Sequence, residues 1–110
     1  MTKPDSPIHV QFFGDQERIF SLTPELIVEL ERVGGLGIGS LCRQLFAGHF
    51  SHTQIITTIR LALIGGGENP ENAAALVAAY AAPRPLNEVF PLAVSILEAL
   101  FFGKASPDAE

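Results

Sequence analysis

Charge is scarce in this sequence. Asp, Glu, Lys and Arg make up 17% of its 110 residues, where an ordinary globular domain carries about 25%. The arginines (Arg18, Arg32, Arg43, Arg60 and Arg84) stand singly, and the net charge is -5. Neutralising phosphates takes clustered Lys and Arg, so nucleic acid is excluded as the main partner. Cysteine is nearly absent as well. Cys42 stands alone, which excludes an intramolecular disulfide and leaves the cytoplasm as the expected location. Long apolar runs are also missing. The longest, Ala73 to Ala82, falls well short of the roughly 18 residues that span a bilayer, so no membrane partner is expected. Residues 1–7 hold two prolines and no apolar stretch and read as a flexible tail, not as a signal peptide.

What the chain has in abundance is apolar side chains, 47% of residues before its 10 glycines are counted. A single small domain, expected over residues 8–103 with a second flexible tail at 104–110, cannot hide all of them. Some apolar area should therefore face a partner or a second copy.

The order of local signals predicts a mainly α (α+β) domain, an N-terminal β-hairpin followed by four or five helices around one core. Ile8, Val10 and Phe12 alternate with His9, Gln11 and Phe13. Gly14-Asp15 supplies a turn, and Arg18 to Leu22 form the return strand. Two strands are unstable alone, so a face carrying Ile8, Val10, Phe12, Phe20 and Leu22 is expected to be covered by helices.

Thr23-Pro24-Glu25 caps and starts the first helix, with Leu26, Leu30 and Val33 inward, and Gly34-Gly35 ends it. A shorter helix is expected from about Ser40 to Ala47. Ser51 and Gln54 then form a capping box for the next, in which Ile56, Ile59 and Leu63 line one face and Thr57, Thr58 and Arg60 another. Gly65-Gly66-Gly67 ends that helix. Asn69-Pro70-Glu71 starts an alanine-rich helix, and Ala82-Pro83-Arg84-Pro85 breaks it. The last helix runs from about Leu86 to Phe102 and is apolar most of the way round. Either it is the central helix of the fold or its far side meets another molecule.

Catalysis needs an activated nucleophile or an acid and base pair in a pocket, and neither is apparent. Cys42 precedes Arg43, which can lower a thiol pKa, but an isolated cysteine among apolar neighbours reads as a buried side chain. His49 and His52 are separated by the cap at Ser51 and lack acidic or cysteine neighbours to complete a metal shell, and His9 stands apart. Gly35-Leu36-Gly37-Ile38-Gly39 and Gly65-Gly66-Gly67 follow helices and are not followed by Gly-Lys-Ser or Gly-Lys-Thr. They read as helix ends, not as phosphate loops. Glu68 and Glu71 read as solvated charges at a helix start. No enzyme, cofactor or metal site is expected.

The order of elements, with Leu30-Glu31-Arg32-Val33-Gly34-Gly35-Leu36-Gly37-Ile38, Leu41-Cys42-Arg43-Gln44-Leu45 before Gly48, Ala62-Leu63-Ile64-Gly65-Gly66-Gly67 and a last helix closing at Phe102-Gly103, resembles the gene transfer agent and tailed-phage tail-assembly chaperone family. Members of that family are also labelled phage tail tube proteins. The resemblance covers about residues 8–103 and rests on glycines and apolar spacing. It implies a cytoplasmic protein that coats the tape-measure protein during tail assembly, and it has no catalytic residue to carry over. A structural tail component, tube or terminator, is the competing reading, although one hairpin is little strand for a ring. An enzyme or ligand-binding domain is disfavoured by the lack of a convergent polar cluster. The surplus apolar surface of the last helix makes Phe90, Leu97, Phe101 and Phe102 the candidate partner contacts. Core packing or a homodimer seam is the alternative use for them.

Overall fold

The computed structural model describes residues 7–103. Apart from Pro7, the two expected tails lie outside the described residues. The chain forms an antiparallel hairpin, β1 (Ile8–Phe13) and β2 (Gln16–Ser21), and then five helices: α1 (Pro24–Gly34), α2 (Ile38–Phe46), α3 (His52–Gly65), α4 (Pro70–Tyr80) and α5 (Leu86–Phe102). The expected fold class, a hairpin followed by helices, is the one observed.

The hairpin is turned over relative to the expectation. Its two-residue turn, Gly14-Asp15, opposes Phe13 to Gln16, Phe12 to Glu17, Val10 to Ile19 and Ile8 to Ser21. A two-residue turn thus places even-numbered residues of β1 opposite odd-numbered residues of β2, so Phe12 and Phe20 cannot share a face. Phe13 and Phe20 are buried, meeting edge-on at 5.8 Å, while Ile8, Val10, Phe12 and Ile19 stay exposed. Leu22 lies beyond the strand and is buried, as expected. Gly14 closes the turn with φ 76°, and a Cβ there would sit 2.7 Å from the ring of Tyr80, which packs on Phe13.

α3 occupies the centre of the fold, packed against β2, α1, α4 and α5. Its start is set locally by the capping box. The Gln54 backbone N–H donates to Ser51 Oγ at 3.1 Å, and the Ser51 N–H donates to Gln54 Oε1 at 2.8 Å. With β2, α1, α4 and α5 packed around it, the face expected to carry Thr57, Thr58 and Arg60 is not left to solvent, and both threonines are buried. Threonine tolerates this because half of its side chain is a methyl group. The Thr58 hydroxyl, however, has no hydrogen-bond partner among the described residues. Replacing it by the near-isosteric valine, Thr58→Val, removes an unpaired buried polar group. We expect stabilisation of about 1 kcal/mol, read as a raised urea midpoint; a lowered midpoint would mean that the hydroxyl is paired.

The glycine run after α3 does more than end a helix. Glu68 N–H donates to Leu63 C=O and Gly67 N–H donates to Ile64 C=O, both at 3.0 Å, the bonding of a Schellman motif with Gly67 at positive φ. Gly65 and Gly66 have another role. Side-chain atoms on them would penetrate the backbone carbonyls of Ser21 and Ile19 respectively. The end of α3 therefore abuts the edge of β2, at a distance only glycine permits.

This close approach also carries Glu68 to the inner side of the hairpin. There its carboxylate pairs with Arg18 at 2.6 Å, and Arg18 also reaches Asp15 at 3.0 Å. Glu68 is thus a partly buried tie between hairpin and helices, not the solvated charge expected. In α1 Leu30 is buried while Val33, expected inward, is exposed.

Candidate partner-binding surface

On α5 the buried residues Val89, Leu92, Ala93, Ile96, Leu97 and Ala99 lie three, four, seven, eight and ten positions after the first. At about 100° per residue they form one stripe, and Phe101 and Phe102 fall progressively outside it. The four candidate residues separate accordingly. Leu97 is 0% exposed and belongs to the core, a correction to its place among surface contacts. It lies inside the stripe and belongs to the buried apolar cluster, on a helix packed against α3. Phe90 is half-buried, its ring stacked on Phe50 with centroids 4.4 Å apart. Phe101 is 58% and Phe102 67% exposed.

α3, not α5, is the central helix, and the end of α5 carries apolar surface that is exposed among the described residues. A third ring joins it there. Phe46, the last residue of α2, is exposed and lies 6.0 Å from Phe101, edge to face, and 6.1 Å from Phe102, nearly parallel. Phe101 and Phe102 themselves stand 5.0 Å apart. Mutual packing holds the three rings in defined orientations while their outer faces meet water. Phe46 was missing from the sequence reading because it sits one position past the inward Leu45. Only the packing of α2 on α5 reveals its neighbours.

The outer hairpin face is a second exposed apolar area, formed by Ile8, Val10, Ile19 and Phe12, the last 64% exposed. It too was missed, though the turn length held the signal. A Gly-Asp loop of two residues fixes the parity of pairing.

The remaining candidates do not converge. Cys42 is buried, and that burial pushes its thiol pKa up, so no effect of Arg43 activates it. His9 bonds Gln11 at 2.8 Å, His52 opens α3 with its ring 3.4 Å from the Ala82 carbonyl oxygen, and His49 is exposed in the preceding loop. Among the described residues no group of three His, Cys, Asp or Glu side chains is placed to hold a metal ion, and no helix is long and apolar enough to cross a membrane.

What this arrangement offers is apolar surface on a helical frame. No curated protein and no solved structure matches the chain. A family model described as "phage tail tube protein, GTA-gp10" matches residues 7–103, the full extent of the described structure. The chain belongs to this family of phage and gene transfer agent tail proteins.

Proposed function

We propose that the protein is a tail-assembly chaperone that acts in the cytoplasm and binds the tape-measure protein while the tail is built. A tail family implies a structural or assembly role, and the observation that carries this reading further is the exposed trio Phe46, Phe101 and Phe102. An unassembled tape-measure protein is a long helical chain with apolar stripes. A small, charge-poor cluster of rings suits weak contact with such a stripe, and many copies along one client would bind it collectively.

Co-expression with the tape-measure protein tests this reading. The wild-type chain is expected to keep the client in the supernatant and to co-purify with it. The double variant Phe101→Asp, Phe102→Asp is expected to release the client into the pellet while remaining folded itself. If the client is equally soluble with the variant, or without the chain altogether, the reading fails.

A structural tail component is the second reading, favoured by the tube protein in the family's description. Against it stands the small amount of strand, one hairpin among the described residues. Purified tails discriminate the two. A structural subunit is present in each particle at a fixed ratio to the major tail protein, and a chaperone is depleted from it.

A further inference from the structure

The two edges of the hairpin are unequal. Antiparallel pairs alternate between residues whose N–H and C=O groups face the partner strand and residues whose groups face away. The carbonyls of Ile19 and Ser21 meet Gly66 and Gly65 of α3, on the side of β2 away from β1. Their ladder partners, Val10 and Ile8, therefore also point their backbone groups away from the ladder, as does Phe12 opposite Glu17. Those groups leave β1 along its outer edge. None has a hydrogen-bond partner outside the ladder among the described residues. α3 closes the edge of β2, whereas that of β1 is left unpaired among the described residues.

Edge strands are usually guarded by a lysine, an internal proline, a bulge or an inward charge. β1 itself has none of these, and α5, the helix packed against it, and the residues leading into that helix bring Glu88 and Arg84 beside Phe12 at one end only. β1 is the one element of the seven with no Asp, Glu, Lys or Arg, in a chain whose net charge is -5.

We propose that the edge of β1 pairs with β1 of a second copy of this chain, antiparallel about a two-fold axis through Val10, joining two hairpins into one four-stranded sheet. The register follows from the residues. With Val10 opposite Val10, Ile8 of each protomer stands opposite Phe12 of the other, and the outward backbone groups of all three residues find partners. The same register places Ile8, Val10 and Phe12 of both copies on one continuous apolar face, as opposing cross-strand pairs. Charge selects this segment for self-pairing. Two copies of an acidic chain repel across most surfaces, and β1 brings no charge to the contact. A six-residue edge buries less than the roughly 800 Å² per partner of a stable interface, so the pairing is reversible. It holds whether or not the protein proves to be a chaperone, since nothing in it depends on the client.

Engineered disulfides read both the contact and its register. Hydrogen-bonded antiparallel partners stand about 5.5 Å apart at Cα, within the range a disulfide spans. The full-length Val10→Cys variant, under mild oxidation, is expected to form covalent dimers at least ten-fold faster than Val28→Cys, placed on an exposed position of α1. A mixture of Ile8→Cys and Phe12→Cys proteins should yield the mixed dimer faster than either yields its own. Cys42 is buried and stays out of the reaction. Cross-linking of Val10→Cys no faster than that of Val28→Cys would overturn the proposal. So would self-linking of Ile8→Cys at the Val10→Cys rate, which would indicate contact without this register.

Discussion

Gly66→Ala and Gly65→Ala are each expected to lower the thermal midpoint of the domain by about 10–25 °C, the largest loss we anticipate from adding one methyl group anywhere in the chain. Neither residue is glycine for conformational freedom, since both continue the helical path at the end of α3, with φ -86° at Gly66. Each is glycine because the added methyl would penetrate a backbone carbonyl, that of Ser21 or that of Ile19. A flexible side chain can swing aside, but a carbonyl in a paired strand moves only with the strand. Relief therefore means lifting the hairpin from α3, with loss of the packing around Phe20 and strain on the Arg18–Glu68 pair. Overpacking a tight site costs about 1–3 kcal/mol and sometimes more. With backbone on one side and helix on the other, the upper end applies, and each kcal/mol moves the midpoint of a domain this size by about 4–8 °C. Gly67→Ala is the control. Its Cβ would meet open space and only its positive φ of 121° resists, so a loss of about 1–2 kcal/mol is expected. If Gly66→Ala melts with the wild type, α3 does not abut β2.

Leu97→Ala should cost about 2–5 kcal/mol in urea unfolding, the range for emptying a fully buried leucine site. Phe101→Ala and Phe102→Ala, five residues or fewer along the same helix, should each cost only about 1 kcal/mol. Each gives up two ring pairs, and with the outer faces in water each pair is at the low end of about 0.5–1.5 kcal/mol. The contrast divides α5 into a face that holds the domain together and an end that is available to a partner. Equal costs at positions 97 and 102 would show that the end of α5 is also structural. The contact surface would then have to be sought elsewhere, the outer hairpin face being the next exposed apolar area.

How legible this was in the sequence differs from element to element. The capping box at Ser51 and Gln54 and the proline starts at Pro24 and Pro70 placed three helix N-termini, because caps act through hydrogen bonds within a few residues. The family was also readable, from glycines and apolar spacings, and its model matches residues 7–103. The candidate surface was readable only in part. Phe101 and Phe102 are exposed as expected, but Leu97 occupies the same apolar helix and is wholly inside. A helix apolar on nearly every side carries no phase in its own sequence, so composition alone cannot separate these positions.

The sequence by itself determined the existence and order of the hairpin and helices, their caps and breaks, and the shortage of charge that leaves apolar area exposed. These follow from interactions within one or two turns of chain. Tertiary structure alone decided that α3 is the central helix and that Phe46 joins Phe101 and Phe102. It also decided that Gly65 and Gly66 serve contact with β2, and that Glu68 is tied to Arg18. Each of these depends on elements far apart in the chain meeting at a few ångströms, and no local periodicity encodes which neighbour will arrive. The outward face of the hairpin lies between the two cases: its parity was written in a two-residue turn, but only the helices packed beneath it settled which face would stay open.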